Sequence, residues 1–141
     1  FKMYCADVRN YDDLKKISLK VKRIDLLILN AGIYQPVRVD KPNLQIFKNH
    51  FDVNYMGVIN AYIAFISKMI SKKHGTILIM SSITAWLGLP KAAAYGPTKS
   101  ALKSFAISIP VPCPGLVLII GSPNVKFIVS ENAKSFSGMS A

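Results

Sequence analysis

Ile24-Asp25-Leu26-Leu27-Ile28-Leu29-Asn30-Ala31-Gly32 is the stretch whose reading decides the fold. Its near-continuous apolar run fits a strand buried on both faces, the habit of parallel sheets, rather than one with a wet side. It leads straight into Asn30-Ala31-Gly32, a small-residue turn whose backbone a ligand can approach closely. A second such run, Thr76-Ile77-Leu78-Ile79-Met80, follows the helix stop His74-Gly75 and delivers Ser81-Ser82 at its end. Between the two lies a long helical pattern from Asn43 to Lys73, with a break into two helices expected near Asn54. From Val53 to Ile70 it is apolar almost all round, so one side can cover a sheet and the other a second subunit.

Working outward, Met3-Tyr4-Cys5-Ala6-Asp7-Val8 reads as a short strand, and Asp12 to Ile17 starts a helix with acidic residues in its first turn. Tyr34 to Pro42 and Ile83 to Ala94 read as loops. A helix then runs from Tyr95 to Ile109, where the prolines of Pro110-Val111-Pro112-Cys113-Pro114-Gly115 stop it. Leu116 to Ile120 and Val125 to Val129 have strand character, and Ser130 to Ala141 reads as a frayed tail. Strands and helices in alternation predict right-handed βαβ units and a parallel sheet with helices on both faces. Ligands of such sheets sit at the carboxyl ends of the strands, where Asp7, Asn30 and Ser82 all fall.

The chain has 141 residues, enough for one domain with a real core and too few for two. Its 51% apolar content places it with globular rather than disordered chains. Cys5 and Cys113 are far apart without metal-type spacing and fit reduced thiols in a cytoplasmic protein. No leader sequence is visible, and the apolar stretch from Val53 to Ile66 is judged too short to span a membrane. Phe1 in place of an initiating methionine suggests a piece of something longer. The net charge of +11 is spread over scattered lysines without a basic, aromatic-interleaved run, which argues against nucleic-acid binding.

Ala94-Tyr95-Gly96-Pro97-Thr98-Lys99-Ser100-Ala101 carries the chemistry. Tyr95 and Lys99 are four positions apart at a helix start and therefore share one face. Pro97 is tolerated there, since the first helical turn has no use for its missing N–H. A free phenol ionises near pH ~10, and a fixed cation beside it favours the phenolate, which makes a tyrosine usable as an acid or base.

Together these residues resemble the short-chain dehydrogenase/reductase family over roughly Met3 to Ser108. Asp7 is similar to the acidic residue that caps the family's adenine pocket, with Val8 beside it. Asn30-Ala31-Gly32 resembles the Asn-Asn-Ala-Gly signature, with Leu29 in place of its first asparagine. Asn54, Ser82, Tyr95 and Lys99 resemble the catalytic tetrad, Ser82 standing thirteen positions before Tyr95.

The resemblance implies a Rossmann-like, doubly wound parallel sheet in three α/β/α layers. It implies hydride transfer between NAD or NADP and a carbonyl or alcohol. Tyr95 would exchange the proton, and Lys99 would support it and hold the nicotinamide ribose. Ser82 would bind the substrate oxygen, and Asn54 would hold a relay water. Asp7, Val8, Asn30, Ala31, Gly32, Tyr95 and Lys99 would line the cofactor site, and Trp86 beside Leu87 would meet an apolar substrate unless it is simply packed. The all-round apolar character of the 53–70 helix leads to the expectation of a homo-oligomer through it.

The chain departs from the family at both ends. Nothing before Met3 corresponds to the opening strand and Gly-rich turn, so the fold is expected to lack its first βαβ unit and the NAD-versus-NADP choice is unreadable. Without its sheet neighbours the Met3 strand would stay unpaired, or slide over to pair with the Ile24 strand. Cys113-Pro114-Gly115 resembles the family's turn over the nicotinamide but comes early. The expected division is a partial Rossmann-like domain over 1–109 and an irregular segment over 110–141. A working dehydrogenase and an inactive remnant or interaction module both remain open.

Overall fold

Asn10 opens the first regular element: its side-chain oxygen accepts the Asp13 N–H and caps α1 (Tyr11–Lys20). The apolar run after it forms β1 (Leu26–Leu29). Asn43 caps α2 (Leu44–His50) by accepting from the Gln45 N–H. The chain continues without a break through a π-helical turn (Phe51–Met56) into α3 (Gly57–Ile70). Then come β2 (Thr76–Met80), a single 3₁₀ turn (Ile83–Ala85), α4 (Tyr95–Ser108) and β3 (Leu116–Ile120). This computed structural model describes residues 2–38 and 40–109 and the backbone of 116–120.

The three strands are parallel in the order β1-β2-β3, with Leu26 opposite Thr76 and Thr76 opposite Leu116. The helices α2–α3 and α4 are the crossovers such a sheet requires. Leu29, Ile77 and Ile79 point to one face and form the core with Val58 and Met69 of α3 and Leu102 and Ala106 of α4. Tyr62 and Phe105 join the two helices edge to face, ring centroids 5.3 Å apart. Helix α1 packs beside α3 rather than on the sheet.

The parallel α/β architecture agrees with the sequence, and three particulars differ. Leu26 and Ile28, on the other face of β1, are 52% and 55% exposed, so of the three expected layers the described residues build two. Met3–Val8 is not a strand: no described strand lies beside it, and an extended segment without a ladder partner leaves its N–H and C=O groups to solvent. Its end is nevertheless anchored, because the Asn60 side chain donates to the carbonyls of Val8 and Arg9. Val8 also packs so tightly on α3 that a Cβ at Gly57 would fall 2.6 Å from its Cγ2.

The third difference is at Asn54, where the helix is rewound into the π turn instead of broken. The resulting helical run, Leu44–Ile70, is long and apolar enough by length and composition to cross a membrane, against the shorter stretch read from the sequence. One side of it packs on the sheet, with Val58 and Met69 in the core cluster, while Ile63 and Ile70 are exposed. Leu116–Ile120, read as having strand character, forms a regular parallel strand beside β2. The proposed turn at Cys113-Pro114-Gly115, the strand at Val125–Val129 and the tail lie outside the described residues.

Candidate active site

The site forms where β1 and β2 end and α4 begins. Tyr95 opens α4, and Lys99 follows one turn later with its Nζ 5.5 Å from the Tyr95 ring centroid. The lysine is 3% exposed and donates to the Met80 carbonyl at 2.9 Å, at the carboxyl end of β2. Burial pushes its pKa down, because a low-dielectric setting disfavours the ammonium. One of its three N–H donors is used by Met80, which leaves two for other partners. Ser81 locks the same corner from the strand side, its hydroxyl donating to the Lys99 carbonyl at 3.2 Å.

Asn54 reaches the site from the π turn. It is fully buried; its Oδ1 accepts the Ile33 N–H at 2.7 Å and its Nδ2 donates to the Ile33 carbonyl at 3.0 Å. The second Nδ2 hydrogen goes to Thr98 Oγ1 at 3.2 Å, and the Thr98 hydroxyl donates to the Tyr95 carbonyl at 2.6 Å. Both amide donors are therefore taken, and one Oδ1 lone pair remains as the position from which this side chain could hold a relay water. Gly32 lies between the pair: a Cβ there would be 3.5 Å from Asn54 Oδ1 and 3.6 Å from Lys99 Nζ. The bare backbone leaves open the space that a methyl group would fill beside the ammonium.

Ser82 caps the 3₁₀ turn, its hydroxyl oxygen accepting the Thr84 N–H at 3.2 Å. Its O–H hydrogen stays available to an incoming oxygen. The structure thus brings Gly32, Asn54, Tyr95 and Lys99 together and sets Ser82 one residue beyond Ser81, which bonds Lys99. Asn30 and Ala31 follow β1 directly.

Two residues stand apart. Trp86 is 42% exposed beneath the Lys103 ammonium, 4.9 Å from its ring centroid. With Leu87, Leu89 and Pro97 it lines a cleft of about 620 Å³ whose walls include neither Ser82 nor Tyr95. Asp7 is held by Arg9, whose Nε donates at 3.0 Å to both carboxylate oxygens. Those hydrogen bonds lower the Asp7 pKa to about 2.

Sequence reasoning missed Thr98, Ser81 and His50. Thr98 had a readable signal, a hydroxyl one position before Lys99 on a helix side that turns inward. His50 had the same signal as the tyrosine–lysine pair, since it stands four residues before Asn54. Ser81 had none, because its partner is a backbone carbonyl.

Comparison with known proteins agrees with this geometry. Residues 1–112 match the family model described as short chain dehydrogenase. The chain is 33% identical over 128 residues to oxidoreductase UcpA of Salmonella typhimurium, covering 79% of this chain and 49% of that protein. The crystal structure of serine dehydrogenase from Escherichia coli superposes with a TM-score of 0.77 at 22% identity, a likeness of fold, over 82% of this chain and 57% of that one. The structure titled ElxO with NADP bound gives 0.75 at 25% identity, over 85% and 52%. The chain spans about half the length of the relatives it matches.

Proposed function

The chain belongs to the short chain dehydrogenase family, and from that membership we propose that it serves an NAD(P)-dependent oxidoreductase acting on a small carbonyl or alcohol substrate. The observation that supports this most is the buried Lys99 ammonium beside the Tyr95 ring, open on the Gly32 side. The residues present fit a nicotinamide nucleotide: Lys99 has two N–H donors for ribose hydroxyls, and Asn30-Ala31-Gly32 offers backbone without bulk. A bound nicotinamide supplies the hydride chemistry. Tyr95 gives its proton to the oxygen of a carbonyl being reduced, or takes it from an alcohol. Lys99 holds its ammonium over the Tyr95 ring and keeps donors free for the ribose hydroxyls. Ser82 donates its hydroxyl hydrogen to the same substrate oxygen, where negative charge develops.

NADP on a structural relative and the family's habits do not choose between NAD and NADP for this chain. The exposed apolar side chains Ile63 and Ile70 on α3 support a homo-oligomer through that helix, and the free, exposed Cys5 suits a reducing, cytoplasmic setting. A second reading, a non-catalytic remnant or interaction module, draws on the unpaired Met3–Val8 segment and on the uncovered Leu26 and Ile28.

The test starts with the native protein from its source cells. Its intact mass is measured, and that form is given NADH or NADPH with a panel of ketones and aldehydes, and the oxidised cofactors with alcohols. The proposal expects a mass above 15.5 kDa and cofactor-dependent absorbance changes with at least one substrate. A native mass of 15.5 kDa with no turnover across the panel would favour the remnant.

A further inference from the structure

His50 is fully buried next to the site, although the reaction scheme gives it no part. Its Nδ1 lies 2.7 Å from the Ile46 carbonyl, which can only accept, so Nδ1 carries the hydrogen. Its Nε2 is then a lone-pair acceptor, and it receives the Gln35 N–H at 3.0 Å. One turn further along, Asn54 receives the Ile33 N–H. The N–H of Val37 donates to the Lys91 carbonyl at 2.9 Å, and Lys91 holds a left-handed φ of 66°.

Alternate N–H groups at 33, 35 and 37 are thus satisfied as they would be along a strand edge. Side chains and a loop carbonyl replace the partner strand. The spacing explains why His50 and Asn54 act together, since residues four apart lie on one helix face. Between two of the held positions sits Tyr34, whose ring meets Tyr95 edge-on with centroids 5.2 Å apart. The His50 ring approaches Tyr95 at 6.4 Å with an 80° interplanar angle.

We propose that His50 is a positioning residue for Tyr95, acting with Asn54 to hold segment 33–37 so that Tyr34 and the imidazole fix the Tyr95 ring from two sides. The inference rests on Tyr95 being the proton-exchanging group. Its first two readouts need no turnover.

Backbone amide exchange and aromatic ring spectra of the purified protein are compared for wild type, His50→Phe and His50→Gln, with the Ile79 amide in β2 as the check on folding. Phenylalanine keeps a ring but no acceptor, whereas glutamine restores an acceptor near the Nε2 position. Gln35 exchange is expected to quicken about tenfold in His50→Phe, as befits loss of one hydrogen bond, with Ile33 unchanged and His50→Gln close to wild type. The Tyr95 ring resonances are expected to shift in His50→Phe, through the loosened 33–37 segment, and by less in His50→Gln, through loss of the imidazole beside the ring. In nicotinamide-linked turnover, kcat should fall about tenfold with the nicotinamide KM unchanged, and recover in His50→Gln.

Unchanged Gln35 exchange or an unmoved Tyr95 ring in His50→Phe would overturn the proposal. A changed KM at constant kcat would do the same. Wild type without turnover would defeat the assigned reaction alone, leaving exchange and ring spectra to decide the clamp. Should His50→Phe lose Ile79 protection, Tyr34→Leu takes its place. It should shift the Tyr95 ring resonances, and an unmoved ring would again overturn the proposal.

Discussion

The two ends of the proposed cofactor cleft are built differently. At the Tyr95 end the groups nearest the chemistry are paired, Asn54 on Ile33 and Thr98, Lys99 on Met80, Ser81 on Lys99, while the buried Thr84 hydroxyl beside Ser82 has no partner among the described residues. At the Asp7 end the carboxylate is exposed and turned onto its neighbour Arg9, in a segment with no described strand beside it. The difference follows from where the partners come from. The Tyr95 end is assembled from elements that β1, β2 and α3 already hold in register, whereas the Asp7 segment is held at its end, by Val8 on Gly57, by Asn60 and by the Asn10 N–H on the Asp7 carbonyl. A preorganised network can act at once; an exposed ion pair must first be rearranged.

The largest expected effect breaks the comparison at its stronger end. Tyr95→Phe should lower turnover about 10²–10⁴-fold, the usual worth of a positioned acid or base, with nicotinamide affinity by titration nearly unchanged. Retained turnover would remove the phenol from the reaction. Next comes Asn54→Ala, which strands the Ile33 N–H and carbonyl in a part-buried setting. An unmet buried group costs about 1–3 kcal/mol, so the melting temperature should drop by several degrees. An unchanged melting temperature would mean that water replaces the amide and that the network is not what stiffens this end.

Much of the strong end is readable in the sequence, because it depends on local spacing. Four residues from Tyr95 to Lys99 put both on one helix face, and the apolar runs before Asn30 and Ser81 mark two strands that pair in parallel, so that their ends meet. His50 escaped although it stands four residues before Asn54, because its partner, the Gln35 N–H, has no sequence signature. The weak end is legible only in part. Met3–Val8 has strand composition, yet strand formation is a property of pairs of segments; of the two outcomes expected without sheet neighbours the unpaired one is found, with no described strand beside it. Trp86 lies under Lys103 in a cleft that Gly96 and Ser100 of α4 also line.

A smaller effect comes from the charge on Lys99. Its folded-state pKa is depressed by burial, so between that value and the ordinary lysine value near ~10.4 the unfolded chain binds more protons than the folded one. Stability attributable to this group therefore rises with pH across that window and is lowest where the ammonium is charged in both states. Lys99→Met should remove that rise, so wild type and variant melting temperatures converge as pH approaches 10. Parallel curves from neutral pH upward would show that the Met80 bond fully offsets the burial.

The smallest effect on stability, and the most informative for the weak end, is at Asp7. Its pKa is lowered to about 2 by the Arg9 hydrogen bonds, so its favourable contribution is complete above the unfolded value near ~3.9 and is lost as pH falls through about 2. Both side chains are about half exposed, which keeps that contribution slight. Arg9→Ala should return the carboxyl titration, followed by NMR, toward the ordinary aspartate range while the melting temperature barely moves. It also separates two views of the exposed end. If Asp7 belongs to an adenine pocket, releasing it from Arg9 leaves both oxygens able to accept from an exocyclic amine, and dinucleotide affinity should rise relative to wild type. If affinity falls or stays the same, the pair is only a surface contact, and dinucleotide binding draws on the Tyr95 end alone.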